Sequence, residues 1–81
     1  GLEVFPNPSD GNFNIVYNIN QLTNLSITIT NLVGEKVFQN IYNDYIGEIN
    51  LNIALKDIRS SVYFIMINDG DSAKTRKIVI K

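Results

Sequence analysis

The sequence has no cysteine, no histidine and no tryptophan, and only 2 prolines, 1 methionine, 4 phenylalanines and 4 tyrosines among its 81 residues. Without cysteine there is no disulfide framework, no thiolate nucleophile and no soft metal site. Without histidine the usual base near neutral pH and the commonest zinc ligand are both missing. An excess of charge of one sign is missing as well: 7 basic residues stand against 8 acidic ones, for a formal charge of −1. Binding to phosphate backbones or anionic membranes needs clustered Lys and Arg, so neither nucleic acid nor membrane is expected as a partner. No apolar run approaches the ~18 to 20 residues of a transmembrane helix, and the N-terminus lacks the basic, apolar and small-residue succession of a signal peptide. An exported parent would carry its signal outside this sequence. The absence of cysteine fits a reducing cytosol and also an exported protein without disulfides, so localisation must come from other features.

A chain this short buries only about 60% of the surface its unfolded form exposes, which builds one small core without a deep catalytic cleft. Residues 1–81 therefore read as a single domain, a module of something larger. Nothing is drawn from the leading Gly1. No catalytic, cofactor-binding or metal-binding residues are expected, and no cofactor.

What is present is alternation. Phe13, Ile15, Tyr17 and Ile19 share one face of a strand while Asn12, Asn14, Asn18 and Asn20 share the other, with Val16 the exception. Leu25, Ile27 and Ile29 against Ser26, Thr28 and Thr30 repeat the pattern, and Ile49, Leu51 and Ile53 make a third case. Val62, Tyr63, Phe64, Ile65, Met66 and Ile67 form a continuous apolar run, read as a central strand buried on both faces. Ile78 and Ile80 alternate with Lys77, Val79 and Lys81, so the chain ends inside a strand with a basic outer face. Turn signals fall at Ser9-Asp10-Gly11, Val33-Gly34-Glu35 and Asn68-Asp69-Gly70-Asp71. Only residues 54–60 interrupt the β pattern; there Leu55 and Ile58 are spaced for a single helical turn plugging the core. The expected fold is all-β: an antiparallel, immunoglobulin-like β-sandwich of about seven strands. Its expected core is Phe5, Phe13, Ile15, Tyr17, Leu25, Ile27, Ile29, Val37, Ile49, Leu51, Ile53, Leu55, Ile58, Tyr63, Ile65, Ile67, Ile78 and Ile80.

The polar residues offer little chemistry. The carboxylates are scattered over turns, where capping of backbone amides accounts for them. Asn68-Asp69-Gly70-Asp71-Ser72 offers hard oxygen ligands but lacks the ~12-residue loop and closing Glu of an EF-hand, and reads as a hairpin turn. Asn24-Leu25-Ser26 matches a glycosylation sequon around a residue expected to be buried. Asp71-Ser72-Ala73 reads as a plain turn. Lys74, Arg76, Lys77 and Lys81 gather four of the basic residues near the end of the chain, either to protect an edge strand from aggregation or to face an acidic groove. In residues 4–11, Pro6 and Pro8 fix φ and remove two amide donors, so this stretch cannot lie inside a sheet. It is an extended lead-in spanning residues 3–11.

The order of these landmarks resembles the type A C-terminal sorting domain of type IX secretion (Por secretion) substrates in Bacteroidota. Pro6, Asn7, Pro8 and Gly11 match its opening motif; Asn31 and Gly34 close an apolar strand; Val37 and Gly47 follow. Tyr63 matches a Gly-x-Tyr block in which Ser61 stands where the family has Gly. Lys77, Ile78, Val79, Ile80 and Lys81 match its basic terminal strand. The resemblance covers residues 3–81. It implies a secretion signal rather than an enzyme, covalently linked to an N-terminal cargo, that directs this cargo through the outer-membrane translocon. Removal by a surface sortase follows, with passage through the periplasm and arrival at the cell surface or outside. The implied partners are translocon and sortase components, and the implied recognition residues are those of the terminal strand, read by β-augmentation. The rival reading is a structural or carbohydrate-binding β-sandwich appended to a secreted hydrolase, for which only Tyr42 and Tyr45 could serve as a sugar platform. A hydrolase fragment, the third reading, lacks a nucleophile and base.

Overall fold

The alternation of Asn and Ile is realised as one long strand rather than two. The computed structural model describes residues 1–81, with β1 at Glu3–Phe5, β2 at Asn12–Thr30, β3 at Lys36–Ala54, β4 at Ser61–Asn68 and β5 at Ala73–Ile80. Phe13, Ile15, Tyr17, Ile19, Leu25, Ile27 and Ile29 are all buried, and all occupy odd positions. The face therefore stays the same across residues 20–24, where neither Gly nor Pro punctuates the chain.

β3 runs antiparallel to β2 from Asn12↔Ala54 to Thr30↔Lys36, with register shifts between Ile19 and Thr23, Thr23 and Leu25, and Ile29 and Thr30. Asp44 (φ 54°) and Gly47 (φ 103°) take left-handed backbone near the first two shifts, and bulges of this kind bend the strands that carry them. The bend brings the ends of both long strands back together: Asn31, just past β2, lines the same groove as Val37 near the start of β3 and Ala54 at its end. β1 pairs with the first half of β2 (Glu3↔Val16 to Phe5↔Asn14). β4 pairs with the second half (Ser26↔Asn68 to Thr30↔Phe64), and β5 pairs antiparallel with β4. One antiparallel sheet thus curls around a single cluster of 15 buried residues. Each fully buried Ile, Leu or Phe in it contributes about 1.5–3 kcal/mol of transfer free energy.

The all-β antiparallel expectation holds; the count of about seven strands and the two-sheet immunoglobulin-like arrangement do not. There are five strands in a curled, half-barrel sheet, because residues 12–30 and 36–54 each form one 19-residue strand where separate runs of alternation suggest more. Residues 54–60 contain no helical turn; Leu55 and Ile58 nevertheless pack against the core cluster from an irregular loop, in which Asp57 has φ 55°. β4 lies between β2 and β5 as a central strand should, yet it is buried on one face only. Tyr63, Ile65 and Ile67 point inward, while Val62 and Phe64 are half-buried and Met66 is exposed, since nothing covers the outer face of the curl.

The core differs from expectation at its ends. Leu2, just before β1, and Val4 within it take the inward positions, leaving Phe5 exposed. Val37 is the extra residue at the last register shift, where Ile29 faces Phe38 and Thr30 faces Lys36, so it is exposed and Phe38 packs on the core in its place. Leu51, Leu55 and Ile58 are half-buried around the cluster, and Ile19 and Leu2 join it.

Candidate functional site: the terminal strand and the segment paired with it

β5 displays two kinds of side chain. Ile78 and Ile80, opposite Tyr63 and Ser61, are buried; Lys77 and Lys81 are exposed and Val79 half-buried on the other face. Lys74 and Arg76 share the parity of the buried isoleucines but are exposed, a charged guard at the open end of an edge strand. Along residues 77–81, however, the outer edge of β5 is already occupied.

Its occupant is the Pro6-Asn7-Pro8-Ser9 segment, in which both Xaa-Pro peptide bonds are cis. Pro6 and Pro8 have no N–H, so the main chain here cannot pair as a strand does. The carboxamide of Asn7, with one acceptor and a donor, serves instead as a substitute peptide group. Its Nδ2 donates to the Lys77 carbonyl at 3.0 Å, and its Oδ1 accepts from the Val79 N–H at 3.0 Å. Ser9 continues with its main chain. Its N–H donates to the Val79 carbonyl at 2.9 Å, and the Lys81 N–H donates to the Ser9 carbonyl at 2.8 Å, a parallel bridge to Ile80. The lead-in segment is therefore an added strand on β5, as well as the rigid spacer its prolines imply.

Ser9 is buried, and its hydroxyl donates to the Asn12 carbonyl at 2.9 Å and accepts the Gly11 N–H at 3.0 Å. Gly11 has φ 107°, and its carbonyl accepts the Leu55 N–H at 2.8 Å. A Cβ at this position would stand 2.9 Å from the Leu55 carbonyl oxygen, so both the backbone region and the close approach require glycine.

Asn31, Val37, Gly34 and Tyr63 lie at the same pole, whereas Gly47 sits at the bend opposite Ile19. Asn31 closes the β2–β3 turn: its Oδ1 accepts the N–H groups of Val33 (3.1 Å) and Glu35 (2.9 Å), while Nδ2 donates to Glu35 Oε1 (2.8 Å). Gly34, at φ 87°, donates its N–H to the Asn31 carbonyl at 3.1 Å. The buried Tyr63 sends its hydroxyl to the Arg59 carbonyl at 2.7 Å, as a tyrosine corner does in sandwich folds. Ser61 pairs in regular register with Ile80, so serine is accommodated there without a bulge. Asn7, between Pro6 and Pro8, thus meets the terminal strand directly, whereas Gly11 joins the loop at Leu55 and Asn31, Gly34 and Tyr63 shape the neighbouring turn and loop. Sequence reasoning placed Ser9 in a turn and Leu55 in the core, and missed that Ser9 pairs with residues 79 and 81 and Leu55 with Gly11.

The other candidates resolve locally. Asp69 Oδ1 accepts the N–H groups of Ser72 (2.9 Å) and Asp71 (3.1 Å). These, that of Ser72 foremost, hold its carboxyl below the ordinary carboxylate value. The cluster is a hydrogen-bonded hairpin turn. Tyr42 and Tyr45 stand edge to face, with centroids 6.4 Å apart and planes at 69°, which makes no flat platform for a sugar ring. Leu25 of the sequon is fully buried, and Asn24 accepts the Asp44 N–H at 3.1 Å.

Residues 3–81 match the family described as the secretion system C-terminal sorting domain, and the chain belongs to that family. No curated protein matches it. The chain is accordingly a C-terminal sorting signal for type IX secretion. Its function is that of a secretion tag rather than a catalytic family. The protein that carries it is exported and interacts with the type IX machinery.

Proposed function

We propose that the type IX translocon and its surface sortase recognise this signal through the terminal strand, with Lys77, Ile78, Val79, Ile80 and Lys81 as the recognised residues. Residues 1–81 act as one sorting domain covalently joined to an N-terminal cargo. The cargo crosses the periplasm, passes the outer membrane because the machinery binds this domain, and is cleaved upstream of residue 3 to be anchored at the cell surface or released. The roles within the strand divide by burial: Ile78 and Ile80 hold the strand against the core, while Lys77, Val79 and Lys81 present a basic, partly apolar face to the partner. Pro6, Asn7, Pro8, Gly11, Asn31, Gly34 and Tyr63 keep that pole in shape.

The observation that supports this reading best is the pairing of Asn7 and Ser9 with residues 77–81. It joins the opening and closing motifs of the family pattern into one structural unit. The test is a fusion of residues 2–81 behind a periplasmically exported fluorescent protein, compared in strains with and without a working translocon. Translocon-dependent appearance at the surface or in the medium is expected, and its loss on deleting Ile80 and Lys81. Export that survives this deletion would refute recognition through the terminal strand.

A further inference from the structure

We propose that the outer edge of β5 is a binding site for an acidic, extended segment running parallel to β5, and that residues 6–9 are its displaceable resident. This deepens the reading that the type IX machinery recognises the terminal strand and rests on it.

Four observations carry the proposal. The edge already accepts a strand, and the bridge between Ser9 and Ile80 sets its direction as parallel. The resident is a poor strand: two of its residues are prolines without donors, and of its four hydrogen bonds to β5 two come from the exposed side chain of Asn7. The same edge is unfilled along the first half of β5, where no strand or turn pairs with the main chain. Finally, Lys74, Arg76, Lys77 and Lys81 are all exposed, and β5 itself contains no acidic residue.

An incoming segment with an N–H at every residue replaces the bonds that Asn7 and Ser9 make and adds further bonds to the unfilled half, while its carboxylates, on alternate residues and so on one face, lie beside the two exposed cations of that face, Lys77 with Lys81 or Lys74 with Arg76. Once residues 6–9 leave, β1, which is only 3 residues long, loses its anchor on the C-terminal side. Binding at the terminal strand therefore loosens the junction between signal and cargo. The end of the domain and its beginning respond as one element.

A short blocked peptide alternating Glu and Val, titrated into the 81-residue chain and followed by amide NMR, tests this. Shifts are expected at Thr75, Lys77, Val79 and Lys81, together with release of the Asn7 side-chain amide. Asn7→Ala, which removes two of the resident's four bonds, should bind the peptide roughly tenfold more tightly. Asn7→Asp, which keeps the acceptor for Val79 and loses the donor to Lys77, should fall between. A peptide alternating Lys and Val should not bind. Equal affinity of wild type and Asn7→Ala, equal binding of the Lys peptide, or shifts confined to the β3 edge would each overturn the proposal. Amides of Phe13 and Ile65 report whether the variant core is intact. If Asn7→Ala does not fold, release or retention of the Asn7 amide in the wild-type titration decides. The reporter fusion separates the two readings: peptide exchange without translocon-dependent export defeats the recognition reading alone, and export without exchange defeats this one alone.

Discussion

The two poles of the molecule are built in opposite ways. At one, the β4–β5 turn closes on itself: Asn68 Oδ1 accepts the Gly70 N–H, and Asp69 Oδ1 accepts those of Asp71 and Ser72. All of these partners lie two or three residues apart. At the other, Asn7 reaches residues 77 and 79, Ser9 reaches 79 and 81, and Gly11 reaches Leu55. Apart from the Thr23 hydroxyl, which donates to the Asp69 carbonyl from β2, the first pole is local chemistry that any hairpin can use. The second exists only when both ends of the chain are in place, and the sorting motifs lie there. If the terminal strand is the recognised element, as proposed, its closed form is presented only after folding.

The largest test of that contrast removes the buried anchor of the long-range pole. Ile80→Ala should destabilise the domain by about 2–4 kcal/mol, because Ile80 is almost fully buried and its main chain joins β4 to Ser9. Denaturant melts give the value, and proteolysis should then cut residues 1–9 first. Protection of that segment in the variant would show that the two ends are not coupled.

Next in size is a pair of glycines, one from each pole. Gly11→Ala combines positive φ with a Cβ placed 2.9 Å from a backbone oxygen and should cost about 2–3 kcal/mol. Gly70→Ala, at φ 94°, meets only the Thr23 hydroxyl at 3.1 Å, a single side-chain atom that donates to the Asp69 carbonyl, and should cost about 1–2 kcal/mol. Equal losses would break the comparison. Tyr63→Phe, smaller again, removes one hydrogen bond to the Arg59 carbonyl and should lower stability by about 1 kcal/mol, with faster amide exchange in residues 55–61.

The same contrast explains what could be read from the sequence. Alternation placed Phe13, Ile15, Tyr17, Leu25, Ile27, Ile29, Ile78 and Ile80 in the core because burial on a strand has a period of two wherever the chain runs. It misjudged Val37, whose exposure comes from a register shift set by the partner strand, and Phe5, whose face is fixed by pairing with Asn14. The runs at residues 12–20 and 25–30, read as separate strands, are one strand because bulges turn β2 and β3 without ending them. Turn signals at residues 68–71 were legible, being local. The role of Asn7 was not, since its partners lie some seventy positions away. Family resemblance marked the position, and only the fold supplies the reason.

The smallest prediction concerns pH and belongs to the local pole. The N–H groups of Ser72, first, and Asp71 stabilise the ionised form of Asp69 and hold its carboxyl below the ordinary carboxylate value. A carboxylate depressed in the folded state adds stability that is complete above the unfolded pKa and disappears as pH falls through the folded one. Asp69→Asn keeps an acceptor oxygen but has no charge to titrate. The difference in melting temperature between wild type and Asp69→Asn should therefore be constant from neutral pH down to about 3.8 and shrink below it. It should be small throughout, because the residue is only half-buried at the surface and solvent screens its charge. Exchange of the Ser72 amide should accelerate over the same acidic range, while the Val79 amide, held by the neutral carboxamide of Asn7, should not respond. A matching acceleration at Val79 would mean that the two poles open together, and the division between local and long-range closure would fail.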